Sequence, residues 1–153
     1  GGLLKKFKKL TVSEFNSKFT SRPTKESFYK KMDKDHGFNN EILSDAFNDI
    51  IKCSKRLDEM LNKFGGPWVM GKKFTLGDIV TGPLLDRIED LGLEKLWENK
   101  FPSVSNWLLN FQERKSVKKS FYPGSRLSEQ YPELKLGKNS KSDLLKTFQL
   151  NYD

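Results

Sequence analysis

Few side chains in this 153-residue sequence are of types that do chemistry, and their spacing suits it poorly. His36 is the sole histidine and Cys53 the sole cysteine. Without a second histidine or a cysteine cluster there is no zinc-ligand spacing and no Cys-His nucleophile pair. We read His36 as a solvent-exposed turn residue and Cys53 as an inert helix residue. Asp86 with Asp90, and Glu89 with Asp90, form carboxylate pairs. On a charged helix face such pairs are ordinarily solvated, so we assign no acid-base couple to them. The sequence has no GxSxG elbow, no phosphate-binding loop and no dinucleotide fingerprint. The expectation is no catalytic residue, no cofactor-binding residue and no metal ligand in this chain.

The elements that would position a site read as helices. Between Glu41 and Phe64 the apolar residues Leu43, Ala46, Phe47, Ile50, Leu57, Met60, Leu61 and Phe64 keep the three-and-four spacing of one helical face. Gly65, Gly66 and Pro67 end that helix. The next should start at Thr75, whose hydroxyl can cap an amide three residues on while Asp78 reaches back to the Thr75 amide, a capping box. Phe74 before the cap and Ile79 after it have the spacing of a hydrophobic staple. This helix runs towards Leu91, with Gly82 and Pro83 inside it as a kink. A third helix is predicted from Pro102, burying Val104, Trp107, Leu108 and Phe111, and a short one over 116–121. Upstream, Ser27 to Met32 reads as helical, and Thr11 with Glu14 forms a second capping box. No alternating strand and no internal repeat stands out, so the economical assignment is an all-α bundle.

Around that bundle lie two arms, 1–10 and 123–153, rich in Lys, Ser, Asn and Pro and expected to be extended or loosely packed. Leu3, Leu4, Phe7 and Leu10 share a helical face beside four lysines, and Leu144, Leu145 and Phe148 follow a Ser140 cap. Both sets are candidate docking elements for a groove or an anionic surface, with a tail folded on its own domain as the equal alternative. We expect contacts to another molecule to order them. Lys plus Arg number 28 against 20 Asp plus Glu, a net charge of +8 that leaves nucleic acid, anionic membranes and acidic proteins open, beside a solvated lysine-rich surface. Aromatics confined to apolar helix faces argue against a base-stacking platform. No apolar run approaches the roughly 20 residues needed to cross a bilayer, so the chain is not transmembrane. One cysteine permits a reducing compartment, cytoplasm or organelle matrix, without fixing it. The chain opens on Gly1 and not on Met, from which we expect upstream residues.

Three segments carry a family resemblance. Trp68 to Ile79, read as "W, G, then FTLGD", resembles the signature that opens the core helix of the glutathione transferase C-terminal domain, with Gly77 where alanine is usual. The preceding helix, closing with Leu57-Asp58-Glu59-Met60-Leu61, and the "FP, V, W" start at Phe101 to Trp107 are similar to the family's flanking helices, in its order and spacing. The resemblance covers 22–122, leaving 1–21 as an N-terminal basic arm and 123–153 as a C-terminal extension. Arg22-Pro23, Phe28-Tyr29 and Leu85 to Leu91 further resemble the bacterial dehalogenase and ether-cleaving branch.

In complete enzymes of that family, glutathione lies on an N-terminal thioredoxin-like domain that supplies the catalytic Ser, Tyr or Cys. No Val-Pro followed by Glu-Ser or Gln-Ser, the marker of that half, occurs here. The resemblance thus implies no cofactor in this chain, and glutathione only if the other half is supplied. It implies a wall of a hydrophobic pocket, for which Phe28, Tyr29 and Met32 are the candidates by position, with ordinary core residues as the equal alternative. Two functions stay open. One is a non-catalytic binding or scaffold module, a subunit or docking domain in a larger assembly with a protein partner. The other is the substrate-pocket half of an active glutathione transferase. A basic RNA-binding subunit is a third and weaker reading.

Overall fold

The computed structural model describes residues 2–18, 23–138 and 140, with the backbone alone for Gly2, Leu3, Pro23, Thr24 and Lys25. The chain divides into two units, Gly1–Phe47 and Asn48–Asp153, a division that does not coincide with the arm boundaries expected from the sequence.

In the first unit, α1 (Gly2–Phe7), α2 (Val12–Ser17) and α3 (Pro23–Tyr29) precede a two-residue hairpin, β1 (Met32–Asp33) and β2 (Gly37–Phe38), that the sequence did not announce. The Thr11 box starts α2: Glu14 accepts from the Thr11 amide at 2.8 Å, and the Glu14 amide donates to Thr11 Oγ1 at 3.2 Å. This turn brings Phe7 and Phe15 edge to face, with centroids 5.2 Å apart, and Met32 joins them in a small buried cluster. Leu4, Leu10, Tyr29 and Phe38 pack around it. The apolar face of the N-terminal arm, expected to await a partner, is thereby covered within its own unit: Phe7 is 3% exposed. At the hairpin turn Asp33 Oδ1 accepts from the amides of Asp35 and His36 at 2.8 and 2.7 Å, and the His36 ring stands in solvent beside the same oxygen.

Helix α4 (Asn40–Phe64) carries the chain into the second unit and ends at Gly65, whose φ of 60° suits only a residue without Cβ strain. After the 65–74 loop come α5 (Leu76–Asp90), α6 (Pro102–Glu113), α7 (Lys115–Ser120) and α8 (Leu127–Gln130). The core of this unit is built from Leu57, Leu61, Leu96, Trp97, Val104, Trp107, Leu108 and Phe111, all buried. The α6 residues expected to face inward are those that do.

Helix α5 is central because α6 can approach it closely. A Cβ at Gly82 would lie 2.3 Å from the Phe111 ring, so that ring occupies the space a side chain would need. The glycine read as a helix flaw is the seat of Phe111, and α5 continues through both Gly82 and Pro83. Gly77, by contrast, has room: a Cβ there would sit 3.5 Å from Thr75 Oγ1 and 3.6 Å from Val69 Cγ1, ordinary contact.

The two glycines should therefore respond oppositely to alanine. Gly77→Ala should stabilise by about 0.4–1 kcal/mol through the unfolded chain's lost freedom. Gly82→Ala gains about 1 kcal/mol of helix propensity but overpacks against Phe111, and the net should be a loss of roughly 1–2 kcal/mol. Urea midpoints of the two variants decide the matter; equal shifts of the same sign would contradict the close α5–α6 contact.

Candidate functional site

The chemistry-bearing side chains of the second unit gather along α5. Asp78 is fully buried at the start of this helix. Its Oδ2 accepts from the Thr75 amide at 2.8 Å and the Thr75 hydroxyl at 3.0 Å. Its Oδ1 accepts from the Val69 amide at 2.9 Å and from Trp107 Nε1 at 2.8 Å. One carboxylate thus caps α5, ties down the 65–74 loop and anchors α6. Burial, the largest single influence on Asp78, pushes its pKa up, and the bonds from Trp107, Val69 and Thr75 together outweigh it and hold the group below its ordinary value near 3.8. A carboxylate whose ionised form is favoured by four donors is a structural group and a poor proton carrier. Phe74, placed by the sequence in a staple, turns its ring towards Trp68, with centroids 4.9 Å apart, and Phe111, while Arg114 lies 3.6 Å above it. Ile79 is 53% exposed.

Farther along the same helix, Asp86, Glu89 and Asp90 are buried, at 2%, 8% and 4% exposure, where the sequence suggested a solvated face. The reason is the C-terminal extension, which packs on them. Arg126 sets its guanidinium fork on Asp86, at 3.0 and 2.8 Å. Gln112 Nε2 donates to Asp86 at 2.9 Å and to Glu89 at 2.6 Å. Asp90 accepts from the Leu127 amide at 2.7 Å and from the Ser128 hydroxyl, so it caps α8 from a distance of nearly forty residues. Lys138 completes the set on Glu89 at 2.9 Å. The bond from Glu89 raises the Lys138 pKa, and Asp86 with its neighbours raises that of Arg126 against the opposing effect of burial, so both cations stay charged. Residues 123–138, expected to be loose, are clasped to the core. With every carboxylate of this cluster engaged by donors, none is poised as a base.

Two cavities flank these residues. One, of about 410 Å³, is lined by polar groups at the end of α4 and the start of α6, among them Asn62, Ser103, Asn106 and Asn110. The other, of about 260 Å³, is an apolar groove between α4 and α5, lined by Ile50, Cys53, Leu57, Leu84, Leu85 and Ile88, with Ser54 and Asp49. Neither is lined by Phe28, Tyr29 or Met32. Met32 lies in the small core of the first unit, Tyr29 packs half-buried against it, and Phe28 is 53% exposed with its ring against Phe38. Of the docking candidates, Leu4, Phe7 and Leu10 belong to that same core, the Leu3 side chain is not described, and Leu144, Leu145 and Phe148 lie outside the described residues. Among the described residues no group of three or more His, Cys, Asp or Glu could hold a metal ion. No helix among them is long and apolar enough to cross a membrane.

What the sequence reading missed was the burial of the α5 carboxylates. A signal was present: Asp78, Gly82, Asp86 and Asp90 recur every four residues, so the face that starts with the cap and the close glycine contact continues into the acidic cluster.

A capped central helix held by its own loop, with a long helix before it and a tryptophan-anchored helix after it, defines a helical domain of the transferase type. A family model described as the glutathione S-transferase C-terminal domain matches residues 20–121, and the chain belongs to that family. The match gives no support to the dehalogenase and ether-cleaving branch in particular. No curated protein and no solved structure matches the chain.

Replacing Asp78 by alanine leaves the Trp107 indole, the Val69 amide and the Thr75 amide without their acceptor, and should cost on the order of 3 kcal/mol or more. Asp78→Asn keeps one acceptor and should cost less. Because the folded-state pKa is depressed, the Asp78 contribution is complete above about pH 3.8 and fades as pH falls through the lower folded value. The stability gap between the native chain and Asp78→Asn, followed by denaturant titration, should therefore shrink only below that pH. Arg126→Ala should open the extension first: amide exchange across 126–138 should accelerate before that of α6, because Asp86 loses its fork while Gln112 remains.

Proposed function

We propose that this chain is a non-catalytic binding or scaffold module, a subunit or docking domain of a larger assembly. The observation that carries the reading is the outer face of α5. Leu76, Ile79, Val80 and Leu84 are 71%, 53%, 60% and 62% exposed, and Pro83 is exposed among them. Their spacing puts them on one side of the helix that the whole unit is built around. Single exposed apolar residues are ordinary, but a contiguous ridge on a rigid, capped helix suits the apolar surface of another protein. The buried carboxylates support the same reading, since their lone pairs are committed to holding segments together. The lysines of the N-terminal arm, Lys5, Lys6, Lys8 and Lys9, are exposed while Leu4, Phe7 and Leu10 pack into the small core, an arrangement that leaves charge available to an anionic surface.

A second reading is favoured by the family itself: the chain as the substrate-pocket half of a glutathione transferase, with the α5 ridge covered by a thioredoxin-like domain. In that case glutathione would be bound on that domain and not by the residues described above.

Val80→Asp combined with Leu84→Asp tests the ridge. Both sites are exposed, so stability should stay within about 0.5 kcal/mol, while the stoichiometric protein partner recovered with the native chain should be lost. Retention of that partner would contradict the proposal, and a partner with a thioredoxin-like fold would move the second reading ahead. The chain alone should conjugate glutathione to a standard electrophile no faster than the uncatalysed reaction.

A further inference from the structure

The cavity between the end of α4 and the start of α6 shares no residue with the exposed α5 ridge, and its chemistry is different in kind. Its volume of about 410 Å³ falls within the roughly 300–1,000 Å³ of ligand sites, but those are walled mainly by apolar and aromatic groups. Here the side chains on offer are three amides and a hydroxyl, from Asn62, Asn106, Asn110 and Ser103. No charged side chain among the described residues lines it, and Trp107, which does, is 1% exposed. An ion finds no counter-charge there, and a flat ring finds no aromatic face to stack on.

The four polar groups are not equivalent. Ser103 Oγ donates to Asn62 Oδ1 at 2.9 Å, and Asn62 Nδ2 donates to Asp58 Oδ2 at 2.9 Å, so the Asn62 amide is held in one orientation and joins α4 to α6. Asn106 and Asn110 are exposed on α6, and among the described residues their carboxamides have no partner. Asparagine is a poor helix former, so two of them one turn apart give α6 no local advantage. Each of these carboxamides carries N–H donors and a C=O acceptor, the complement of a peptide group. At i and i+4 their Cβ atoms lie roughly 5–6 Å apart, close to the roughly 6.5 Å between alternate residues of an extended chain. Another wall is the turn Gly65-Gly66-Pro67, whose two glycines let a backbone come close.

We propose that this cavity binds the main chain of an extended, uncharged peptide segment of a partner protein, with Asn106 and Asn110 pairing with alternate peptide groups. The bond between Ser103 and Asn62 fixes the spacing of α4 and α6 beside it. The site reads backbone more than side chains, and it does not depend on what docks on the α5 ridge.

The test is selection of random dodecapeptides displayed on phage against the full 153-residue chain, followed by calorimetric titration of the tightest synthetic peptide. Asn106→Ala combined with Asn110→Ala should weaken that peptide at least about tenfold, with no loss of urea midpoint because alanine is the better helix former. Val80→Asp with Leu84→Asp should leave its affinity within about twofold, which separates this site from the ridge. N-methylation of two alternate peptide nitrogens should weaken binding as much as the asparagine pair does, and this arm leaves the protein unaltered. A selection that yields no binder, or a binder indifferent to the asparagine pair and to N-methylation, would overturn the proposal. Binding of a neutral oligosaccharide such as maltohexaose that is lost in the asparagine variant, with no peptide competing for it, would assign the cavity to a carbohydrate and overturn it as well.

Discussion

Everything in the second unit is arranged around one buried carboxylate. Asp78 takes hydrogen bonds from a helix start, a loop and the indole of the next helix. Each donor alone would be costly to bury without an acceptor, and together they outweigh the cost of burying the charge. Because its donors come from the helix start, the preceding loop and the next helix, the carboxylate sets the entry of α5, the path of the 65–74 loop and the seat of Trp107 at once. Trp107 stacks near Phe111, and Phe111 in turn needs the bare surface of Gly82. The cap therefore determines how closely α5 and α6 pack.

The same side of α5 carries the second fixed point, the cluster of Asp86, Glu89 and Asp90. Three buried carboxylates would repel one another and the low-dielectric interior if left alone. Arg126, Gln112, Lys138 and the start of α8 supply the donors, so the extension is held where it is needed electrically. The acidic residues of α5 thus explain how the segments of the second unit are held together.

The helices were legible in the sequence where their signals are local. Thr75 with Asp78, Thr11 with Glu14, and the run through Val104, Trp107 and Phe111 each depend on residues a few positions apart, and all three lie where the spacing placed them. The family was legible for the same reason, in Trp68 to Ile79 and the segments flanking it. What was not legible depends on distant partners. Phe7 looked like a docking residue because Phe15 and Met32, which bury it, are separate from it in sequence. Asp86 looked solvated because Arg126 lies forty residues on. The Phe74 ring goes to Trp68 and Phe111, since an aromatic neighbour offers more contact than Ile79 at the helix surface.

The central claim is that the Asp78 carboxylate and the Trp107 indole are energetically coupled and join α5 to α6. A double-mutant cycle measures this directly, with Asp78→Ala and Trp107→Phe singly and together, the phenylalanine keeping most of the packing while removing the N–H. Urea denaturation should give a coupling energy of at least about 1 kcal/mol, the two losses together being smaller than their sum. Strict additivity of the two substitutions would contradict the account.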